Sequence, residues 1–413
     1  MGFIQDYLLY NEGNECPREY HIWTALVLLA SAAAKRVYID YGYLEVYPNL
    51  YVTLVGKQGF RKSTAKDIGR DLFADACPDT PIGASVQSRE DIIRFMSSPD
   101  CMRAMNIDGE PVEIRPIVFF INELKNWLSI NPSAMVDFLT DIYDRKYFDS
   151  RTIKRNLEVI QNPCVNILAC ETPVWIIDKL KANIISGGFT RRMIYIYATV
   201  RGPKISFPTI STAAIEARKR CVEHLKKVTT YSGKLQWTPE GRMFFDKWYQ
   251  NLKAPDDEVM AGFYESLHIQ VLKVCIAMCL AETEPKLVLT KDLLEVSVAL
   301  LDKAMETMPL LSVAAGRNEL ALPQQRILEV LNQNGGHMRE KQLRLCIDKD
   351  LEPQEQLTLL NHLNNGLGLI KKLKVWRNNT PFDEIWLTEV FTSAIAKKHL
   401  VLEGSNVVWK GPA

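Results

Sequence analysis

Several features that would settle the class of this 413-residue chain are missing from it. The nine cysteines, Cys16, Cys77, Cys101, Cys164, Cys170, Cys221, Cys275, Cys279 and Cys346, never fall into C-x-x-C spacing. That excludes a zinc ribbon or dithiol redox motif and leaves reduced, buried thiols as the expectation. Surplus charge is missing too: 50 Lys and Arg against 49 Asp and Glu leave +1, so no global field draws in nucleic acid and any polyanion site must be a local cluster. The most apolar stretch, Trp23 to Ala34, runs about twelve residues against the roughly twenty that span a bilayer, and Lys35-Arg36 follow it, so a buried helix is expected. The opening Met1-Gly2-Phe3-Ile4-Gln5-Asp6 shows no basic segment ahead of a long apolar run, so no secretory signal is read and an intracellular protein is expected. Repeats and low-complexity tracts are absent as well.

What is present is the composition of a folded globular protein: 47% apolar and 24% charged residues exclude disordered and collagen-like chains. The length implies two or three folding units. Residues 17 to 34 have helical apolar spacing, and alternation around Gly42 predicts a hairpin, so residues 1–48 read as a lead-in. Leu50 to Val55 predicts a strand, then a glycine loop, then a helix from Ser63 to Phe73. Ile117 to Ile121, Cys164 to Cys170 and Met193 to Tyr197 are apolar without alternation, as strands covered on both faces should be. The fold class expected for residues 49–205 is therefore α/β. Pro203 and Pro208 flank an expected hinge. Residues 206–318 read as a helical lid or connector, with Leu267, Val271, Leu272, Cys275 and Ile276 on one face. Residues 319–413 give three helices and two strands in winged-helix order.

Chemistry concentrates on Gly56-Lys57-Gln58-Gly59-Phe60-Arg61-Lys62-Ser63-Thr64, which matches G-x-x-x-x-G-K-[ST] except that Arg61 stands at the last glycine. Gly56 and Gly59 permit a tight loop, Lys62 supplies a cation, and Ser63 with Thr64 supplies hydroxyls at a helix start, the donors that bind phosphate and Mg2+. A side chain at Arg61 must point away from the phosphates or force a costlier backbone. Asn122 and Glu123 end the second strand, where Asn122 is a metal-contact candidate and Glu123 would orient the attacking water. Asn166, Glu171 and Thr172 are candidates for sensing a γ-phosphate. Arg191 and Arg192, after a diglycine, are candidates for a finger reaching a neighbouring subunit. Lys146, Arg151 and Lys154, with Arg155 and the aromatics Tyr143, Tyr147 and Phe148, suggest a single-strand grip. In the C-terminal region Pro353 to Asn364 carries no Lys or Arg, so Lys371, Lys372 and Lys374 on the wing, beside Trp376 and Arg377, are the DNA-contact candidates there.

The series of Pro48-Asn49-Leu50-Tyr51, the loop, Asn122-Glu123, Tyr143-Asp144-Arg145-Lys146, Arg151-Thr152-Ile153-Lys154, Glu171-Thr172-Pro173 and Gly187-Gly188-Phe189-Thr190-Arg191-Arg192 resembles a phage- and prophage-borne family of P-loop proteins. That family is catalogued as a domain of unknown function and grouped with replicative helicases and primase-helicases. The resemblance covers residues 15 to 310. It implies a RecA/AAA+-like P-loop NTPase core, ATPase activity with ATP and Mg2+, a hexameric ring, and a role in replicating a mobile element in the cytoplasm of a bacterial host. The expectation is an ATP-dependent DNA helicase or translocase acting on single-stranded or forked DNA. An ATP switch such as a loader, initiator or defence sensor is the alternative, and a nucleotide-binding scaffold without turnover is the third.

Overall fold

The computed structural model describes residues 2–107, 109–128, 132–152, 155–173, 176, 188–198, 200–253, 258–314, 321–347, 353–361, 363–364, 369–377, 380–396, 400–403 and 406–409. The chain is mixed α/β and divides into two compact units, Met1–Ala315 and Gly316–Ala413. The segments expected as lead-in and core, and the connector as far as Ala315, fall in the first unit and share one hydrophobic core, whereas the last three connector residues, 316–318, belong to the second unit.

In chain order, the strands of the first unit are β1 (Val37–Tyr41), β2 (Leu44–Val46), β3 (Tyr51–Val55), β4 (Arg103–Ile107), β5 (Glu110–Ile121), β6 (Tyr147–Thr152), β7 (Arg155–Gln161), β8 (Pro163–Glu171), β9 (Met193–Tyr197), β10 (Gly233–Lys234), β11 (Gln236–Trp237) and β12 (Val288–Leu289). The main sheet has the order β4-β5-β8-β3-β9. β5, β8, β3 and β9 are parallel, and β4 is an antiparallel edge. Successive strand residues face opposite ways, and both faces are covered. Phe119 meets Trp127 at 5.0 Å on one face, while Phe120 meets Phe73 of the helix Lys62–Ala76 at 6.3 Å on the other. This explains the apolar runs without alternation: no residue of β3 or β8 is exposed.

The helix Arg18–Ala33 is apolar nearly all round, and all but three of its sixteen residues are buried. It packs on the sheet and on the helix Lys62–Ala76, where Gly69 lies so close to Thr24 that a Cβ there would collide with its methyl. A core Leu→Ala change in such a helix costs about 2–5 kcal/mol. The helix Thr212–Val228 packs on Phe3–Tyr10, on Arg18–Ala33 and on Lys62–Ala76, so the chain's first helix is sealed in place by one more than two hundred residues later. One helix window, Gly262–Leu280, is long and apolar enough to cross a membrane, yet 67% of it is buried in the unit, and Val271, Leu272, Cys275 and Ile276 are fully enclosed.

The second unit runs helix Ala321–Gln333, β13 (His337–Arg339), helices Glu340–Ile347 and Pro353–Asn361, β14 (Ile370–Arg377), β15 (Thr380–Leu387), helix Thr388–Ala396, β16 (Leu400–Glu403) and β17 (Asn406–Trp409). Its sheet order is β13-β15-β14-β17-β16. Ile327, Leu331, Leu343, Leu359, Leu360, Ile370 and Ile385 form its core. The two expected strands are present as the hairpin β14–β15. Sequence patterning did not foresee the β16–β17 pair, which joins β14 through Val375 and Trp376.

Candidate functional site

The carboxyl end of β3 opens into the Gly56–Thr64 loop, and three anchors set its base. Tyr20 Oη donates to the Val55 carbonyl (2.6 Å), Gly56 N donates to Glu171 O (3.3 Å), and Ala198 N donates to Val55 O (3.2 Å). A side chain at Gly56 would strike the Tyr20 hydroxyl, so glycine is required there by space. At Gly59 it is required by conformation, since its φ is +83°. Arg61 adopts the left-handed region as well (φ 57°, ψ 26°), which costs a non-glycine residue about 1–2 kcal/mol. Both consequences foreseen for this position occur together. The backbone is strained and the guanidinium turns away to Glu15, with contacts of 2.8 and 2.6 Å. The Cys16 thiol donates to the Arg61 carbonyl (3.4 Å). The Ile205 amide, then Arg61, hold the Glu15 carboxyl below its ordinary pKa.

The helix Lys62–Ala76 starts without a side-chain cap and without an acidic residue in its first turn. The helices after Ser88, Ser211 and Thr238 are each capped by a hydroxyl. The first N–H groups of a helix have no intrahelical partner, so the uncapped end presents the amides of Lys62, Ser63 and Thr64 at its positive pole, where an anion is favoured. Ser63 and Thr64 are exposed. Lys62 Nζ donates to Gly56 O (2.6 Å) and Lys57 O (3.1 Å), which holds the ammonium over the loop. Burial lowers its pKa, while Cys170, Glu171 and Glu123 act in the opposite direction. Both carboxylates therefore bear on this cation.

Glu171 is buried at the end of β8, and it accepts from Lys125 N (2.8 Å) with one oxygen and from Thr172 N (2.8 Å) with the other. It thereby ties the end of β8 to the turn after β5. Glu123 is half exposed, accepts from Asn126 Nδ2 (2.7 Å) and lies 3.3 Å from Lys125 Nζ. Asn122 is exposed beside it. Because β8 lies between β3 and β5, Glu123 stands roughly 10 Å across the sheet from the loop strand, room for a terminal phosphate and a water. Among the described residues no three His, Cys, Asp or Glu side chains gather into a metal site. Mg2+ bound through phosphates needs only one or two protein oxygens, and Ser63 with the Asn122–Glu123 strand end fits that role.

Other expected site residues lie elsewhere. Asn166 is at the amino end of β8, buried, with its Oδ1 accepting from Leu50 N (2.8 Å). It fastens the foot of the sheet and is too far from the loop to sense a phosphate. Arg191 and Arg192 immediately precede Met193, which pairs with Tyr51, so they sit at the foot of β9, a strand length of roughly 13 Å from the loop. Within one chain they do not reach it. Arg192 turns inward over the Tyr143 ring (5.7 Å) and donates to Gly188 O (2.7 Å), whereas Arg191 is 41% exposed and 3.3 Å from Glu265. In the basic hairpin β6–β7, Arg151 is exposed, Lys146 pairs with Glu45 (2.6 Å), and Lys154 lies outside the described residues. Of the aromatics foreseen for stacking, Tyr143 is fully buried and Phe148 packs on Phe138, so only Tyr147 presents a half-exposed ring. In the second unit Lys372 pairs with Glu340 (3.0 Å), Lys371 is half-buried and Lys374 is exposed.

Sequence reasoning missed Tyr20, Glu15 and Cys16, which lie about forty residues before the loop. The one available signal was the charge at Arg61, which required a carboxylate to receive it. No family model and no curated protein matches this chain.

Proposed function

We propose that the first unit is a P-loop ATPase core of RecA/AAA+ type and that the chain is an ATP-dependent DNA helicase or translocase. One observation carries the reading: an uncapped helix start, a glycine-bent loop and the Lys62 ammonium face two carboxylates on the next two strands. Loop amides and Lys62 hold the β- and γ-phosphates, and the Ser63 hydroxyl and Asn122 amide hold Mg2+, which supplies charge neutralisation when bound. Glu123, exposed at the strand end and one strand beyond Glu171, orients water against the γ-phosphate. Glu171, fixed by two amide donors, reports phosphate loss to the turn that carries Glu123, because the Lys125 amide moves with it. Hydrolysis couples to a DNA grip only if the two states bind DNA differently, and the β6–β7 hairpin with Tyr147 and Arg151 is the candidate grip. A hexameric ring gives Arg191 a phosphate to reach in the neighbouring subunit. The helix, strand, helix, helix, hairpin order of the second unit supports a winged helix, with Lys374 facing solvent.

Asn122 favours a second reading, an ATP switch that assembles on DNA without processive unwinding, since an amide there lacks the charge of a carboxylate. Calorimetry with Mg2+ and ATP, then phosphate release with and without single-stranded DNA, tests both. Binding with DNA-stimulated release supports the motor, and binding without release supports the switch. No binding removes the phosphate site.

A further inference from the structure

We propose that Glu15 is a latch between the phosphate loop and the segment that follows β9, so that phosphate bound at Gly56–Thr64 and the fastening of residues 201–210 favour one another. This deepens the phosphate-loop reading above and rests on it. The segment leaves β9 beside the loop, where Ala198 N donates to Val55 O (3.2 Å). It ends at Ser211, whose side chain caps the helix Thr212–Val228, itself packed on the helix Lys62–Ala76. Between these ends it lies against residues 13–16 backbone to backbone. A Cβ on Gly13 would strike the Thr209 carbonyl, and one on Gly202 would strike the Glu15 carbonyl.

One carboxylate joins this segment to the loop. Glu15 Oε1 accepts from Ile205 N (2.9 Å), while Oε2 accepts from Arg61 Nε (2.8 Å) and Nη2 (2.6 Å), with Arg201 Nη2 at 3.8 Å. Pro203 and Pro208, which have no N–H to offer, bracket the Ile205 amide. Arg61 is the last residue before the helix and holds a left-handed backbone (φ 57°), a region that a non-glycine residue leaves unless its neighbours retain it. Two contacts retain it: Glu15 on the guanidinium and the Cys16 thiol on the carbonyl (3.4 Å). The amides of Lys62, Ser63 and Thr64 follow directly, so their direction depends on this one residue. A loop filled by phosphate needs those amides in place and therefore favours the latched Arg61. Coupling of this kind is reciprocal, so the latched segment also favours phosphate. The Arg61 side chain is 48% exposed, and an ion pair of that exposure shifts an equilibrium about 5-fold at most.

The test uses the full chain in Mg2+ with inorganic tripolyphosphate, calorimetry giving affinity and hydrogen exchange at the Ile205 amide reporting on the segment. Tripolyphosphate is expected to slow that exchange about 5-fold. Glu15→Gln keeps the side-chain volume and an acceptor for Ile205 N, and should abolish the slowing and weaken tripolyphosphate about 5-fold. In an Arg61→Gly background, where the left-handed backbone is free of strain, Glu15→Gln should leave affinity unchanged. A Glu15 that merely supports the fold would weaken binding alike in both backgrounds, which overturns the latch. Binding with unaltered Ile205 exchange, or tighter binding in Glu15→Gln, also overturns it and leaves the phosphate loop standing. No heat of association in the natural chain overturns the loop, and the latch with it.

Discussion

The two ends of the main sheet carry similar polar residues and treat them in opposite ways. At the foot, Asn49 Nδ2 donates to Tyr143 O, Lys273 Nζ donates to Asn49 Oδ1 (2.7 Å), Asp144 (3.0 Å) and Tyr47 O (3.2 Å), and Gln270 reaches Tyr143 and the carbonyls of Arg191 and Arg192. Lys273 is 1% exposed and lies over the Tyr143 ring, and Lys35 nearby donates to Arg145 O. At the head, the helix start has no cap, Arg61 is strained, and Ser63, Thr64, Asn122 and Glu123 face solvent. The foot pairs most of its polar groups, Thr190 Oγ1 and Arg192 Nε being exceptions, whereas the head leaves donors open, as the proposed nucleotide site requires. Motif residues with equal claims in sequence are sorted by what pairs with them.

Variants should separate the two ends. Asn49→Ala strips an acceptor from a buried ammonium and leaves the Tyr143 carbonyl short of a donor, and is expected to cost about 3–5 kcal/mol in urea unfolding. A loss under 1 kcal/mol would show that the foot network is ornamental. Lys35 tests the same end by pH. Burial lowers its folded pKa to about 8, against an ordinary 10.5. Between those values the unfolded chain binds more protons, so this contribution is complete above pH 10.5 and is lost as pH falls through 8. Lys35→Met should accordingly exceed the natural chain by about 3 kcal/mol more at pH 7.5 than at pH 10.5. Comparing the two proteins at each pH cancels the buried thiols that do not face Lys35, such as Cys101 and Cys170, which burial pushes up to about 12 and which weaken the fold in alkali; Cys164 does face Lys35, so both proteins should carry Cys164→Ala. A constant difference across that range would remove Lys35 as the cause.

At the head the pattern should invert. Glu123→Gln is expected to slow phosphate release at least about 100-fold with ATP affinity kept, and normal turnover would discard Glu123 as the water-orienting group. Lys62→Ala should weaken triphosphate binding about 100-fold, equivalent to about 2.7 kcal/mol, with the urea midpoint nearly unchanged. The smallest effect is expected for Arg61→Gly. It relieves about 1–2 kcal/mol of backbone strain and gives up a half-exposed ion pair worth at most about 1 kcal/mol. Its melting temperature should stay level or rise slightly, and a drop of several degrees would show that the Glu15 clasp outweighs the strain.

The loop and strand cores were legible because their signals are local. Val52 to Thr64 states strand, turn and helix within thirteen residues, and Ile117 to Ile121 betrays cover on both faces through apolar residues without alternation. The inserted β8 was not legible, since the order β5-β8-β3 depends on pairing β8 both with β5, 48 residues away (Arg115 with Pro163), and with β3, 116 residues away (Tyr51 with Ile167). The roles of Asn166 and Tyr143 were misjudged for the same reason. A polar or aromatic side chain looks available until the long-range partner that buries it is known. The antiparallel edge β4 and the added β16–β17 strands likewise answer to neighbours that periodicity does not see.

The central strand has a consequence for assembly of the molecule over time. Tyr51 is hydrogen-bonded into place only when Ile167 on one side and Met193 on the other have arrived. Closing such wide loops of chain is entropically slow. A nascent polypeptide emerging only as far as the helix that follows Lys62 therefore carries the phosphate motif in letters but not in shape. If the proposed phosphate site is correct, competence to hold a nucleotide should appear late and all at once, when the ninth strand docks.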